Sequence, residues 1–252
     1  MTWKIATWNV NSLKARHEHV LNWLDSNPID ILALQELKSL NICPEDFERL
    51  GYKVYYVGQK AYNGVAILTK LPIKKRPIKF LMHAPENQAR FLAIDYEDTT
   101  VVCVYVPNGS EVGTDKYLYK LAWLDALEAW LSAKLKTQNR LVILGDFNIA
   151  PFNHDTFDPN IWNGKVLASE PERLRYHNLI DLGLVDIHDS SHKFTWWDYR
   201  AGAFAKDNGC RIDLVLATPS LVPVSYQVDK LPRSWPKPSD HCPVVVEFEG
   251  QI

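Results

Sequence analysis

What this sequence lacks is the first guide to its function. Its four cysteines, Cys43, Cys103, Cys210 and Cys242, include no C-x-x-C pair. That excludes a disulfide framework and a zinc knuckle. Cys103 lies inside the apolar run VVCVYV and reads as a small core residue, and Cys242 reads as a buried thiol at the start of a strand. No apolar run approaches the ~20 residues of a membrane span, and the opening residues MTWKIATWNV carry no signal-type apolar region. The expected location is the reducing cytoplasm. Excess positive charge is also missing: 28 Lys and Arg stand against 30 Asp and Glu, a formal net charge of −2. The overall basic surface of many nucleic-acid binders is therefore excluded. A local basic rim around an acidic site is not. There is no phosphate-cradling glycine loop and no nucleophile elbow. No linker, repeat or low-complexity stretch divides the chain, so a single domain over residues 1–252 is expected.

What is present is a series of short apolar runs. Strands are expected at 4–10, 30–36, 53–58, 64–69, 90–97, 100–106, 140–147, 193–197, 211–217 and 243–249. Several are almost continuously apolar, as strands covered on both faces are. Helices are expected at about 14–26, ahead of Pro28, and at about 115–136, where leucines recur at spacings of three and four. A third is expected at 170–182, with Ser169 and Glu172 as a capping box and Gly183 as the stop. Many strands and few helices, without regular βαβ alternation, predict two packed sheets flanked by helices.

The chemistry gathers where the strands end. Asn9 and Asn11 close the first, Gln35 and Glu36 the second, Tyr105 and Asn108 the run VVCVYVPN, and Asp146 and Asn148 the run LVILGDFN. Asp213 stands near the start of RIDLVLA, and Ser239, Asp240 and His241 lie between two prolines ahead of the last strand. One polar residue at a strand end is an ordinary turn former. Six such transitions, all with oxygen donors or an imidazole, predict convergence on one point. Glu36 and Asp240 with carboxamide support suit a hard cation such as Mg²⁺ or Mn²⁺, not zinc. Asp146 and Asn148, two apart, share a face if the strand stays extended. One can act as a base while its partner stabilises an oxyanion. His241 can donate to a phosphoryl oxygen, with Asp213 as the group that orients it. The set fits metal-assisted attack of water on a phosphate ester.

Eight segments, TWNVNSLKAR, LQELK, YNGVAIL, VYVPNG, LGDFNIAP, FTWWDYR, CRIDLVLA and KPSDHCPV, resemble in order the exonuclease III family of bacterial apurinic/apyrimidinic (AP) endonucleases. That family lies within the endonuclease/exonuclease/phosphatase superfamily. The resemblance runs nearly end to end. The Asn, Glu, D-x-N and S-D-H positions are common to the superfamily; GDFNIAP, FTWWDYR, YNGVAIL and RIDLVLA are specific to its DNA-repair branch. The resemblance implies a four-layer α/β/β/α sandwich of two mixed sheets flanked by helices, with the site at one edge. It implies metal binding by Glu36 with Asn9, Asp146, Asn148, Asp240 and His241. Catalytic roles fall on Tyr105, Asp146, Asn148, Asp213 and His241, and substrate contacts on Asn108, Lys120 and Trp196. Asn108 stands where some members have Gln, and Lys120 matches a basic residue near the DNA backbone. Which of Asp146 and His241 is the base, and whether one or two metals act, stay open.

The implied activity is Mg²⁺-dependent hydrolysis of the phosphodiester 5′ of an abasic site, leaving a 3′-hydroxyl, with 3′-end trimming and 3′→5′ exodeoxyribonuclease action. Mn²⁺ is expected to substitute. The implied substrate is duplex DNA with abasic sites or blocked 3′ ends, bound by a monomer. Arg90, Lys120, Arg200 and Lys206 are candidate local cations, and residues 152–169 and 198–208 the loops that shape the pocket. Trp196 and Trp197 alternate in direction, so one of them belongs to the core. His17, His19, His83, His177, His188 and His192 read as surface or loop residues. Two other classes compete: a small-molecule phosphatase of the same superfamily, and a non-catalytic DNA-binding module.

Overall fold

The computed structural model describes residues 1–189 and 193–252, so His192 lies outside the described residues. One sheet contains β1 (Thr2–Asn9), β2 (Ile31–Gln35), β3 (Lys53–Val57), β4 (Val65–Thr69), β10 (Pro223–Val228) and β11 (Val244–Glu249), in the order β10-β11-β1-β2-β4-β3. The other contains β5 (Phe91–Asp95), β6 (Thr100–Tyr105), β7 (Leu141–Asp146), β8 (Val185–Asp186) and β9 (Asp213–Ala217), in the order β5-β6-β7-β9-β8. Both sheets are mixed: β1 with β2 and β6 with β7 run parallel, the other pairs antiparallel.

Strand alternation builds the layers. Ile5, Ile31, Ile67, Cys103, Val142, Leu144 and Val244 point between the sheets and form the central core. Their neighbours Ala6, Trp8, Leu32 and Leu34 point outward, under α1 (Leu13–Ser26) and α2 (Glu45–Arg49), against Trp23 and Phe47. On the far side Val102, Val104, Ile143 and Leu216 meet Trp123, Leu127 and Leu131 of α3 (Asp115–Leu135) and Leu179 of α5 (Glu170–Asp181). Each central strand is covered on both faces, which is why its sequence is continuously apolar. Full burial of each such aliphatic side chain stabilises the fold by roughly 1.5–3 kcal/mol. The four-layer sandwich is as expected, and Ser169 and Glu172 form the capping box of α5. A four-residue helix, α4 (Pro159–Trp162), lies in the connection after β7.

Register brings six strand ends to one edge. Asn9 pairs with Gln35 across β1 and β2, and Tyr105 with Asp146 across β6 and β7. Because β9 is antiparallel to β7, its first residue, Asp213, lies opposite Asp146. Because β11 is antiparallel to β1, its start lies beside the end of β1, with Thr7 opposite Val244.

Some expectations are corrected. Residues 193–197 are not a strand. They cross the ends of both sheets, and Trp196 makes isolated bridges to Cys210 on one side and His241 on the other. The β9 edge that such a strand would need is taken by β8. β8 and β10 were not anticipated: β8 has two residues, and β10 is a mostly exposed edge strand beginning at a proline.

Candidate active site

Two backbone devices aim the side chains. Glu36 and Lys38 both adopt the left-handed region, φ 54° and 52°, so the chain turns sharply past β2 and presents Glu36 to the sheet edge. In β7, Gly145 has φ 148°, and a Cβ there would meet the Val104 carbonyl oxygen at 1.9 Å. Only glycine fits that approach, and it sets Asp146 at the strand end. β7 stops at Asp146. Asn148 therefore does not reach the site by strand alternation. Asp146 Oδ1 accepts the Asn148 backbone N–H at 2.9 Å, and the turn it closes, with Asn148 at φ 49°, brings the two together. The S-D-H triplet is fixed by its serine. Ser239 Oγ donates to the Asn9 carbonyl at 2.7 Å and accepts the His241 N–H at 3.2 Å, so the loop is tied to the end of β1.

Glu36, Tyr105, Asn108, Asp146, Asn148, Asp240 and His241 line one cavity of about 360 Å³, walled by Trp162, Val166, Leu167, Trp196 and Ile212. Glu36 Oε1 accepts from Asn9 Nδ2 at 3.0 Å and from the Tyr105 hydroxyl at 2.9 Å. Its Oε2 is 2.7 Å from Lys38 Nζ. Burial opposes ionisation of Glu36, but the hydrogen bonds from Lys38 and Asn9 outweigh it and hold the carboxyl below its usual value. Tyr105 moves the other way. Burial, with Glu36 and Asp146 beside it, keeps it a phenol that donates.

His241 Nδ1 is 2.9 Å from Asp213 Oδ2, and its Nε2 is 3.8 Å from Asp146 Oδ2. Burial works against the imidazolium, yet Asp213 and Asp146 outweigh it and raise the His241 pKa well above its ordinary value. Asp146 is raised as well, by burial first and then by Asp213 and Glu36, against the opposing pull of His241. The site thus holds more carboxylate than its own cations neutralise. Among the described residues Asp213 Oδ1 has no hydrogen-bond partner. One carboxylate oxygen each from Glu36 and Asp146 and one His241 ring nitrogen lie within 4.8 Å of one another. Oxygen donors in a buried, charge-deficient cluster fit a divalent cation.

A family model for the Endonuclease/Exonuclease/phosphatase family matches residues 6–241. The chain belongs to that family. Exodeoxyribonuclease III of Haemophilus influenzae is 32% identical over 271 residues, covering 98% of this chain and 100% of the relative. The solved structure of the 3′ phosphatase NExo from Neisseria, bound to product DNA hairpin, matches with TM-score 0.95 at 38% identity, covering 98% of this chain and 100% of that one. An AP endonuclease structure from Archaeoglobus fulgidus matches with TM-score 0.92 at 36% identity, with the same coverage of 98% and 100%.

Within this Endonuclease/Exonuclease/phosphatase fold, Glu36, Asp146 and His241 form, among the described residues, a group of acidic and histidine side chains close enough to share a metal ion. Asn9 turns its Nδ2, not its oxygen, to Glu36 and to Asp146, the latter at 2.9 Å. Both Asp240 oxygens are engaged, Oδ1 by Asn11 Nδ2 and Oδ2 by Trp196 Nε1, each at 3.0 Å. Asp240 therefore orients the Trp196 indole. Asn148 gives one amide hydrogen to Val106 O, and its Oδ1 accepts from Asn108 Nδ2, both at 3.0 Å.

Lys120 is the clearest correction. It is not on the surface near a DNA backbone but is fully buried and paired with Glu172, because its side chain points from α3 under the site loops. Arg90 is also committed, its guanidinium 4.7 Å over the Tyr105 ring. Arg200 lies on the rim with Asp198, largely exposed, and Lys206 is exposed. Trp197 is the core member of its pair and Trp196 the wall. Of the histidines read as surface groups, His83 and His177 are exposed, and His17, His19 and His188 are partly buried. Two site residues were missed. Lys38 stood two places after Glu36 in a quoted motif, a visible signal. Trp162 lies in a connection with no periodicity to mark it.

Proposed function

We propose that this chain is a divalent-metal-dependent DNA-repair phosphodiesterase of the exonuclease III type. It hydrolyses the phosphodiester 5′ of an abasic site to leave a 3′-hydroxyl, and it trims blocked 3′ ends. The observation that carries this reading is the pairing, in one cavity, of a charge-deficient carboxylate cluster with an indole wall of Trp162 and Trp196. The cluster is suited to phosphate esters. The wall offers apolar faces to a sugar that has lost its base, which is also the nucleotide most easily extruded from a duplex. A highly charged small-molecule phosphate would require more cations there.

Glu36 and Asp146 are the proposed holders of the cation, Mg²⁺ by preference with Mn²⁺ as substitute, with the His241 imidazole beside them. When bound, the cation supplies charge stabilisation to the phosphate and lowers the pKa of water. Asp146 Oδ2 and His241 Nε2 face each other at 3.8 Å, and the pair moves the proton of the attacking water. Asp213 keeps His241 in one orientation, as carboxylate partners do in other His–Asp pairs. Tyr105 donates toward the site as a phenol. Asn108 and Asn148 each use one amide hydrogen within the loops, and the second, which meets no acceptor among the described residues, can face a phosphate oxygen. We propose that the chain acts as a monomer in the cytoplasm, folded as one domain over residues 1–252. Its duplex partner is guided by local cations such as Arg200.

The test offers three substrates with Mg²⁺: a duplex with one abasic-site analogue, a nicked duplex with a 3′-phosphate, and an inositol polyphosphate. The expected result is cleavage 5′ of the abasic site and removal of the 3′-phosphate, with no inositol phosphate turnover. Trp196→Ala should slow abasic-site cleavage while leaving metal affinity unchanged. Rapid inositol phosphate hydrolysis beside intact DNA would overturn the reading, and full activity in a chelator would remove the metal.

A further inference from the structure

Among the buried ionic groups outside the proposed mechanism, one touches the site loops. Lys120 and Glu172 are both wholly out of solvent. A buried ammonium is costly unless each of its three hydrogens meets an acceptor. Here all three do: Lys120 Nζ donates to the Asn148 carbonyl at 2.6 Å, to the Asn108 carbonyl at 3.2 Å, and to Glu172 Oε1. Glu172 is saturated in turn. Its Oε1 accepts the Leu167 N–H and its Oε2 the Ser169 N–H, both at 3.0 Å, and Oε2 also accepts the Ser169 hydroxyl. Two of the three lysine bonds therefore end on the carbonyls of the two residues whose amides face the phosphate position.

The loops need such a hold. Asn148 sits at φ 49° just past the end of β7, and Gly109, next to Asn108, sits at φ 91°. A Cβ on Gly109 would come within 3.1 Å of Lys120 Cδ, so the loop lies directly on the lysine stem. An apolar side chain of the same length would fill this space without the desolvation cost of a buried ion pair. What it would lack is any bond to the two carbonyls. We propose that Lys120, braced by Glu172, is a positioning residue that sets Asn148 and Asn108 for phosphate contact. The proposal rests on the phosphodiesterase reading of the site, since it assigns those amides to a phosphate.

The experiment uses the double variant Lys120→Met/Glu172→Gln, which keeps the stem and the capping-box acceptor but removes both charges. Circular dichroism and thermal melting establish that it is folded. Against the unsubstituted chain, kcat should fall by about 10- to 100-fold, the order expected when a reacting group is displaced by about 1 Å. KM and Mg²⁺ affinity should stay within about threefold, which general loss of structure would not allow. The same pair of substitutions is then placed on Asn148→Ala. If Lys120 acts through Asn148, its loss shrinks to less than about threefold there, because the two effects are coupled. A folded double variant with kcat within about threefold of the unsubstituted chain, or losses that multiply with Asn148→Ala, would overturn the proposal. Should the double variant fail to fold, Glu172→Gln alone carries the test. It should lose kcat by a few-fold and lose nothing further on Asn148→Ala, and unchanged kcat would overturn the pairing. All ratios are taken on whichever phosphate ester the unsubstituted chain turns over, so a wrong substrate class changes the substrate and not the ratios.

Discussion

Arg211 and Asp213 are two residues apart, yet they enter two buried clusters of different character. Arg211 is held by two carboxylates. It reaches Asp155 through Nε at 2.6 Å and Nη2 at 3.1 Å, and Asp186 through Nη1 at 3.1 Å and Nη2 at 2.9 Å. Tyr176 donates to Asp186 as well, at 2.9 Å. Burial opposes the guanidinium, but the two acidic partners raise its pKa still further above an already high value. This cluster fastens residue 155, the short strand β8 and helix α5 to the entrance of β9. Its cation is permanent and its geometry bidentate. The cluster around Asp213 has three carboxylates, one titratable imidazole and one carboxylate oxygen without a partner among the described residues. The first cluster is closed by hydrogen bonds within the chain. The second is left open, and that is the condition for binding a cation and a phosphate. Buried acid alone does not mark a site; unfinished compensation does.

The largest effects should separate the two clusters in kind. Asp146→Asn is expected to cut phosphodiester turnover by about 10²–10⁴-fold, the usual contribution of an acid–base group. It should not lower the melting temperature of the metal-free protein, because it removes a carboxylate whose ionisation the fold resists. A folded variant with near-normal turnover would show that His241 alone moves the proton. Arg211→Met should do the reverse. Breaking one partner out of a buried ionic cluster costs roughly 3–5 kcal/mol, read as a lower midpoint in urea. The turnover of molecules that remain folded should change far less than in Asp146→Asn. If Arg211→Met removes turnover with stability intact, the division between the clusters is wrong.

A smaller effect concerns pH. Asp146 and His241 both have raised pKa values in the folded chain. The folded state therefore holds more protons than the unfolded state. The His241 contribution is complete below the ordinary histidine value and is lost as pH rises through the folded one. The Asp146 contribution runs in the same direction from a lower starting pH. Between about pH 6 and 9 the metal-free protein should thus lose stability as pH rises. Glu36 is shifted downward, so its linkage falls in acid, outside this window. Saturating Mg²⁺ should flatten the slope, since a bound cation replaces the protons as charge partner. A thermal melting series with and without chelator measures it. A flat or rising profile in chelator would show that the site is already neutralised.

Much of the fold was legible because the strands covered on both faces must be continuously apolar, and α3 and α5 carry helical spacing and a capping box. The exceptions have a common cause. Residues 193–197 have strand composition, but they lie across two sheet ends where no free edge is available. β10 is exposed, so burial imposes no apolar pattern on it. At the site, Glu36, Tyr105, Asp146, Asn148, Asp213, Asp240 and His241 could be nominated because they end or precede strands, and all seven line or adjoin one cavity. Lys120 was misjudged because a lysine on an amphipathic helix is ordinarily solvated. Nothing local reveals that two loops and Glu172, 52 positions away, fold over it.

By itself the sequence determined which residues carry chemistry and which carry the core, since residue type and periodicity are local properties. Only the tertiary structure decided how the oxygens are shared. Asp240 faces the Trp196 indole, Asn9 gives its nitrogen to two carboxylates, and Lys120 turns inward to the loops. Each of those choices depends on which donor lies within about 3 Å of which acceptor. That distance is set by strand register and by the packing of two sheets, across separations of up to 137 residues between bonded partners in this set.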